Sequence, residues 1–261
     1  MEGIVRHARS AQPEMDIVVT HFVNEGMLEL LQAGEIPVSI EAHESVCRHY
    51  GIASIFLARQ VAQRIAGGSL TWDDYGGVHP APEGNVIAAS MVAEMLGTAW
   101  ARDASDSAAP HALPRTLVDE GSYSHGRWLS PAPAANESWV FEAPDWGQME
   151  GGFRETFAGL PLLCCDTVEA ETTIAFGGSM LGAFVLAGPD AAVLECAVDG
   201  GEFARLDLFH RFSGGLHYPR TVILAAELAD GPHEARLRLA SQQPAGQAAA
   251  RILQFAVNAR A

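Results

Sequence analysis

Lysine is absent from this chain, and all 16 of its basic residues are arginine. That removes Schiff-base chemistry through a lysine amine, and with it the lysine of a phosphate-binding loop. Positive charge is scarce as well, because 32 Asp and Glu residues leave a formal charge of −16. A surplus of that sign repels a phosphate backbone and an anionic lipid surface, so neither nucleic acid nor a membrane is expected as a partner. Cysteines are few. Cys47, Cys164, Cys165 and Cys196 show neither a zinc spacing nor a disulfide framework. Cys164 and Cys165, as neighbours on a strand, would point to opposite faces and make poor mutual partners, so buried thiols are expected. No apolar run reaches the roughly eighteen residues that a membrane helix needs. Met1 to Ala11 also lacks the apolar centre of a signal peptide.

What is present suffices for a packed core. The chain is 48% hydrophobic over 261 residues, a length that fits one large domain or two ordinary ones. Ile4 to Arg9 reads as helical, and Asp16 to Val23 as an apolar strand with little alternation, which suits a parallel sheet covered on both faces. Gly26 to Gln32 is predicted as a short helix. A second helix runs to Tyr50, with Ser39 as its cap and Glu41 and Glu44 near its positive end. Ile52 to Leu57 then reads as a strand and Ala58 to Ile65 as a helix. This alternation implies a parallel α/β layer. Thr71 and Asp74 form a small capping box around a helical turn from Trp72 to Tyr75, which Gly76-Gly77 breaks. Pro82 opens a helix to about Leu96, with a buried stripe expected at Val86, Ile87, Met91, Val92, Met95 and Leu96.

From Ala101 to Leu113 the composition shifts to Ala, Ser, Asp and Pro, and beyond it the period changes from helical to alternating. Strands are expected at Ser138–Glu142, Leu160–Cys164, Thr172–Phe176, Met180–Ala187, Ala192–Val198, Thr221–Leu228, His233–Leu239 and Arg251–Val257. Asp199-Gly200-Gly201 serves as a hairpin turn. Evenly spaced short strands of this kind indicate a jelly-roll-like β-sandwich. The expected organisation is an α/β portion at 1–100, a linker at 101–114 and a sandwich at 115–261.

Two segments carry candidate chemistry. Thr71 to Gly84 reads Thr-Trp-Asp-Asp-Tyr-Gly-Gly-Val-His-Pro-Ala-Pro-Glu-Gly, which presents a histidine from a stiff loop just before a helix. Asp16 to Glu25 reads Asp-Ile-Val-Val-Thr-His-Phe-Val-Asn-Glu, a strand that ends on an amide at the edge where open α/β sheets bind ligands. Together they resemble the SGNH (GDSL) family of serine esterases. The resemblance implies a flavodoxin-like α/β hydrolase domain, with His79 as general base and Asn24 as an oxyanion donor. The family's Gly-Asp-Ser block is nowhere in these residues. The chain is therefore expected to be the later part of such a domain, inactive or nearly so without an upstream serine.

The family often places an Asp three residues before the His, and here that position is Gly76. Asp73 and Asp74 lie close enough in sequence to substitute, with Asp74 ranked first, though a helix-cap role for it is the plainer reading. Glu25 is expected to bond structurally beside Asn24, and His21 to be a satisfied core histidine. Trp72 could line a pocket or simply pack. His43, Cys47 and His49 include an i, i+4 pair that could hold zinc, but His49 projects off that face and helix packing is the default. No cofactor is called for.

Phe176 to Phe184, Gly188-Pro-Asp190, Val198-Asp-Gly200 and Leu228 to His233 look like the sandwich module that accompanies some carbohydrate-active members of the family. Trp128, Trp139, Trp146 and Tyr218 could stack on sugar rings if exposed. The expected substrate is therefore an acylated carbohydrate or another small ester. The rival reading is a non-catalytic glycan- or protein-binding sandwich carrying a degenerate hydrolase scaffold.

Overall fold

The computed structural model describes residues 1–101, 109–246 and 248–260. The chain divides into two units, Met1–Ser124 and His125–Ala261. Half of the expected 101–114 linker, residues 102–108, lies outside the described residues.

In the first unit the order is α1 (Glu2–Ala11), β1 (Val18–Thr20), α2 (Glu25–Gln32), α3 (Val38–Tyr50), β2 (Ala53–Ile55), α4 (Leu57–Ala66), α5 (Trp72–Tyr75) and α6 (Pro82–Trp100). Strands β1 and β2 pair in parallel, Val18 opposite Ala53 and Thr20 opposite Ile55. The parallel α/β layer is thus present, but among the described residues its sheet has two strands. After Thr20 the His21 N–H still donates to the Ile55 carbonyl at 2.9 Å before the chain turns away. The core beneath contains Leu57, Ala58 and Val61 on one face of α4, with Val23, Leu28, Ile40, Tyr75 and Ile87 around it.

Two helix expectations are corrected. Helix α3 begins at Val38 with Pro37 at its N-cap, and Ser39 makes no cap. The Pro37 carbonyl accepts from the Ile40 and Glu41 amides at 2.9 and 3.0 Å and so starts the helix. On α6, Ile87 is buried but Val86 is 59% exposed, and Met91, Val92, Met95 and Leu96 are only half-buried. Beside β2 this helix borders an open cavity of about 460 Å3 lined by Ala53 to Phe56, Met91, Glu94, Met95, Thr98 and Ala99. Among the described residues no third strand joins that sheet, and the stripe stays partly wet.

Helix α1 organises the other end of the unit through a buried carboxylate. Glu2 accepts from the Tyr50 hydroxyl at 2.5 Å and from the Val118 and Asp119 amides at 2.8 and 3.0 Å. Burial pushes the Glu2 carboxyl up, but these hydrogen bonds and the Arg6 charge outweigh it and hold its pKa below the ordinary value. Arg6 also donates to the Pro114 carbonyl, and a His49 ring nitrogen meets Thr116 O, both at 2.8 Å. Residues 114–119 therefore run along the first unit, which closes after Ser124.

The second unit carries β3 (Gly126–Leu129), β4 (Val140–Glu142), β5 (Leu162–Cys165), β6 (Glu171–Gly177), β7 (Leu181–Ala187), β8 (Val193–Val198), β9 (Ala204–Asp207), β10 (Tyr218–Ala225), β11 (Pro232–Leu239) and β12 (Ala250–Asn258). One sheet has the order β10-β7-β12-β5-β4, with β3 also on β12, and the other β6-β11-β8-β9. Side chains from both sheets, among them Ala183, Val185 and Phe255 from one and Ile174, Leu194 and Leu237 from the other, share a single core. The unit is a β-sandwich. Strands β3 and β9, at four residues each, were not expected, while the Asp199-Gly200 turn was; Asp199 has φ +52°.

All four cysteines are free. Cys47, Cys165 and Cys196 are buried and Cys164 is half-buried. Burial pushes the Cys164 and Cys196 thiols up to about 11, which leaves them unreactive at neutral pH.

Candidate functional site

Asn24 stands three residues beyond the hydrogen bond that ends the β1–β2 pairing, in extended conformation at the N-cap of α2. Its Oδ1 accepts from the Met27 N–H at 2.9 Å. That bond fixes which way the carboxamide faces and leaves Nδ2, a donor, without a protein partner among the described residues. The side chain is exposed. Glu25, the first residue of α2, makes no side-chain hydrogen bond among the described residues; as an acid in the first turn it complements the helix dipole.

His79 lies in the turn between α5 and α6, exposed, and its ring makes no hydrogen bond among the described residues. The backbone around it is clamped. The Ala81 N–H donates to the Tyr75 carbonyl at 2.8 Å, and Asn85 Nδ2 to the Pro80 carbonyl at 3.1 Å. Tyr75 itself is fully buried. Gly76 takes φ +96°, and a Cβ placed there would fall 2.0 Å from the Ala81 nitrogen. No side chain fits at that position, so the close return of the chain to Ala81 explains why an acid cannot occupy it.

Asp74 is engaged locally. Its carboxylate accepts from the Thr71 hydroxyl at 2.6 Å, and its N–H donates back to Thr71 Oγ1 at 3.1 Å, the capping box read from the sequence. Its second oxygen has no protein partner among the described residues. No hydrogen bond joins Asp74 or Asp73 to His79 among those residues. Trp72 is half-buried and stacked on Tyr75, ring centroids 5.5 Å apart.

The Asn24 and His79 loops rise from one hydrophobic cluster. Val23, next to Asn24, and Tyr75, four residues before His79, both belong to it, with Met27 and Trp72 packed against its edge. An exposed imidazole on a clamped loop can take and return a proton, and a pinned carboxamide donor can meet a developing oxyanion.

His21 is a core histidine, as expected. Its Nε2 lies 2.7 Å from Glu44 Oε1, and its side chain is 3% exposed. Burial raises the Glu44 pKa, but hydrogen bonds from Ser54 and His21 bring it below the ordinary carboxylate value. The Glu44 partner escaped the sequence reading because 23 residues separate the pair and only the β1–α3 packing brings them together. Burial pushes the neighbouring His43 down, towards its neutral form. Cys47 packs with Val5, Val46, Tyr50 and Ile52, and no group of three metal-binding side chains occurs among the described residues.

No family model and no curated protein matches the sequence. Solved structures do match. A two-domain esterase active on acetylated mannans aligns at 16% identity with a TM-score of 0.72, over 100% of this chain and 68% of the other. The same esterase co-crystallised with mannopentaose aligns at 16% identity and a TM-score of 0.71, over 100% and 67%. The fold resembles that of a two-domain esterase. At this identity the likeness concerns architecture, and this chain spans about two thirds of the length of that esterase.

Proposed function

We propose that this chain supplies the general base and an oxyanion donor to an ester hydrolase of SGNH type that removes acyl groups from carbohydrate. The observation that carries the reading is the Asn24 cap, which fixes a carboxamide so that its donor end is left free. The clamped His79 loop, rooted in the same cluster, supports it. The carbohydrate comes from the likeness in fold to an esterase active on acetylated mannans.

In this reading a serine from outside these 261 residues attacks the acyl carbonyl carbon, and His79 takes the proton from its hydroxyl. The Asn24 Nδ2 group donates to the oxyanion that forms. His79 then protonates the departing sugar oxygen, and a water repeats the sequence on the acyl-serine. Asp74, through its free carboxylate oxygen, is the acid ranked first for orienting His79.

The test begins with translating the reading frame upstream of Met1, where a strand followed by Gly-Asp-Ser is expected. A stop codon directly upstream overturns the proposal. The extended polypeptide should then hydrolyse an acetyl ester. His79→Ala should lower its kcat by roughly six orders of magnitude. Unchanged turnover in that variant removes His79 from the mechanism.

A further inference from the structure

Of the aromatic residues that could meet a sugar, the structure buries Trp139 completely and leaves Trp128 61% exposed. The strand registers show what surrounds Trp128. Leu129 packs against the sandwich core, so Trp128 points to the outer face of the larger sheet. It pairs with Ala256 on β12, which pairs with Gly182 on β7, which pairs with Ile223 on β10. These four form one row across four strands, about 14 Å long at the usual strand spacing. The next outward row is Gln254, Phe184 and Thr221.

The first row is high at its ends and low in the middle. Trp128 and Ile223 are both exposed, with Ala256 and Gly182 between them. A Cβ at Gly182 would sit 3.0 Å from the Val222 carbonyl, 3.6 Å from Met180 Sδ and 3.8 Å from the Ala256 Cβ, so a side chain there would be crowded. The indole is held by Phe184, 6.2 Å away between ring centroids, and Phe184 in turn by the edge-on ring of Phe157 at 6.1 Å. The Gln254 amide and the Thr221 hydroxyl have no protein partner among the described residues. Neither row contains an ionisable side chain, although the chain as a whole carries −16.

We infer that this face is a binding platform for a neutral polysaccharide, with Trp128 stacking on a pyranose ring and Gln254 and Thr221 bonding to sugar hydroxyls. A fixed aromatic beside a shallow floor suits the apolar face of a sugar, and free amide and hydroxyl groups suit its edge. The lack of charge on a face of so acidic a protein selects an uncharged glycan over a uronate polymer. The inference rests on the second unit alone and does not depend on hydrolysis.

The experiment is affinity electrophoresis of the full 261-residue chain in gels containing galactomannan, hydroxyethylcellulose or polygalacturonate. The two neutral polymers are expected to retard the protein, and polygalacturonate is not. Trp128→Ala should weaken retardation roughly tenfold while leaving the thermal midpoint unchanged, and Trp128→Tyr should retain most of it. His79→Ala should bind like the parent chain, which separates failure of this site from failure of the hydrolase reading. Equal binding by Trp128→Ala, no retardation by either neutral polymer, or preference for polygalacturonate overturns the inference. So does a dimer in sedimentation that Trp128→Ala dissolves, which would assign the face to a second copy of the chain.

Discussion

Replacing Gly76 by Asp would place a carboxylate three residues before His79, and the expected result is a loss of stability. Two costs add. A non-glycine residue at φ +96° sits outside the favoured regions, at roughly 1–2 kcal/mol. The new Cβ also lands 2.0 Å from the Ala81 nitrogen and 2.6 Å from its Cβ, so the backbone before α6 must move, at roughly 1–3 kcal/mol. Together these give about 2–5 kcal/mol. Gly77→Asp is the matched control, because Gly77 has φ +72° and a Cβ there would meet only Trp72 Nε1, at 4.0 Å. It should cost about 1 kcal/mol, since Asp tolerates the left-handed region better than most residues. Urea denaturation followed by far-ultraviolet circular dichroism measures both. Under the proposed hydrolase reading, Gly76→Asp should also lower turnover, because the His79 loop is displaced. Equal stability of the two variants, or a gain in turnover from Gly76→Asp, would refute the reasoning.

Other expectations concern the sandwich. Arg251 makes two hydrogen bonds to Asp190, at 2.8 and 2.7 Å, and its own side chain is 8% exposed. Asp190→Asn should cost about 2 kcal/mol, towards the low side for a buried pair because Asp190 itself is 39% exposed. Burial raises the Asp190 pKa, but the Arg251 hydrogen bonds and charge bring it below the usual value. Its contribution is therefore present above the unfolded carboxylate pKa of 3.8 and lost as pH falls through the lower folded value, a loss that acid titration of the thermal midpoint would show and Asp190→Asn would remove. His233 behaves in the opposite sense, because the Ala229 carbonyl and the Asp199 carboxylate raise its pKa. The stability it adds is complete below pH 6.5 and disappears as pH climbs through the raised value, and His233→Ala should flatten that slope.

Much of this was legible from local pattern. Thr71 and Asp74 announced their capping box, and the alternation of β6, with Thr172, Ile174 and Phe176 inward, marked a sandwich strand. What eluded the sequence depends on partners far along the chain. Asn24 was readable as the end of a strand, but its bond to the Met27 amide emerged only with the start of α2. Trp128 and Trp139 are the same residue type eleven positions apart. One is buried with its indole N–H on the Ala170 carbonyl, and the other lies on an outer face that only the register of β3 reveals. The α6 stripe failed for a related reason, since periodicity identifies an apolar face but says nothing about how much sheet is available to cover it.

The two-stranded parallel sheet also has a consequence for amide exchange with deuterium. Among the described residues β1 and β2 bond only to each other, so half of their main-chain ladder groups face outward from the sheet. Those amides should exchange on the timescale of loop protons, while the amides of β7 and β12, flanked by strands on both sides, exchange last. The most slowly labelled segments of the protein would then lie in the sandwich, far in sequence from Asn24 and His79.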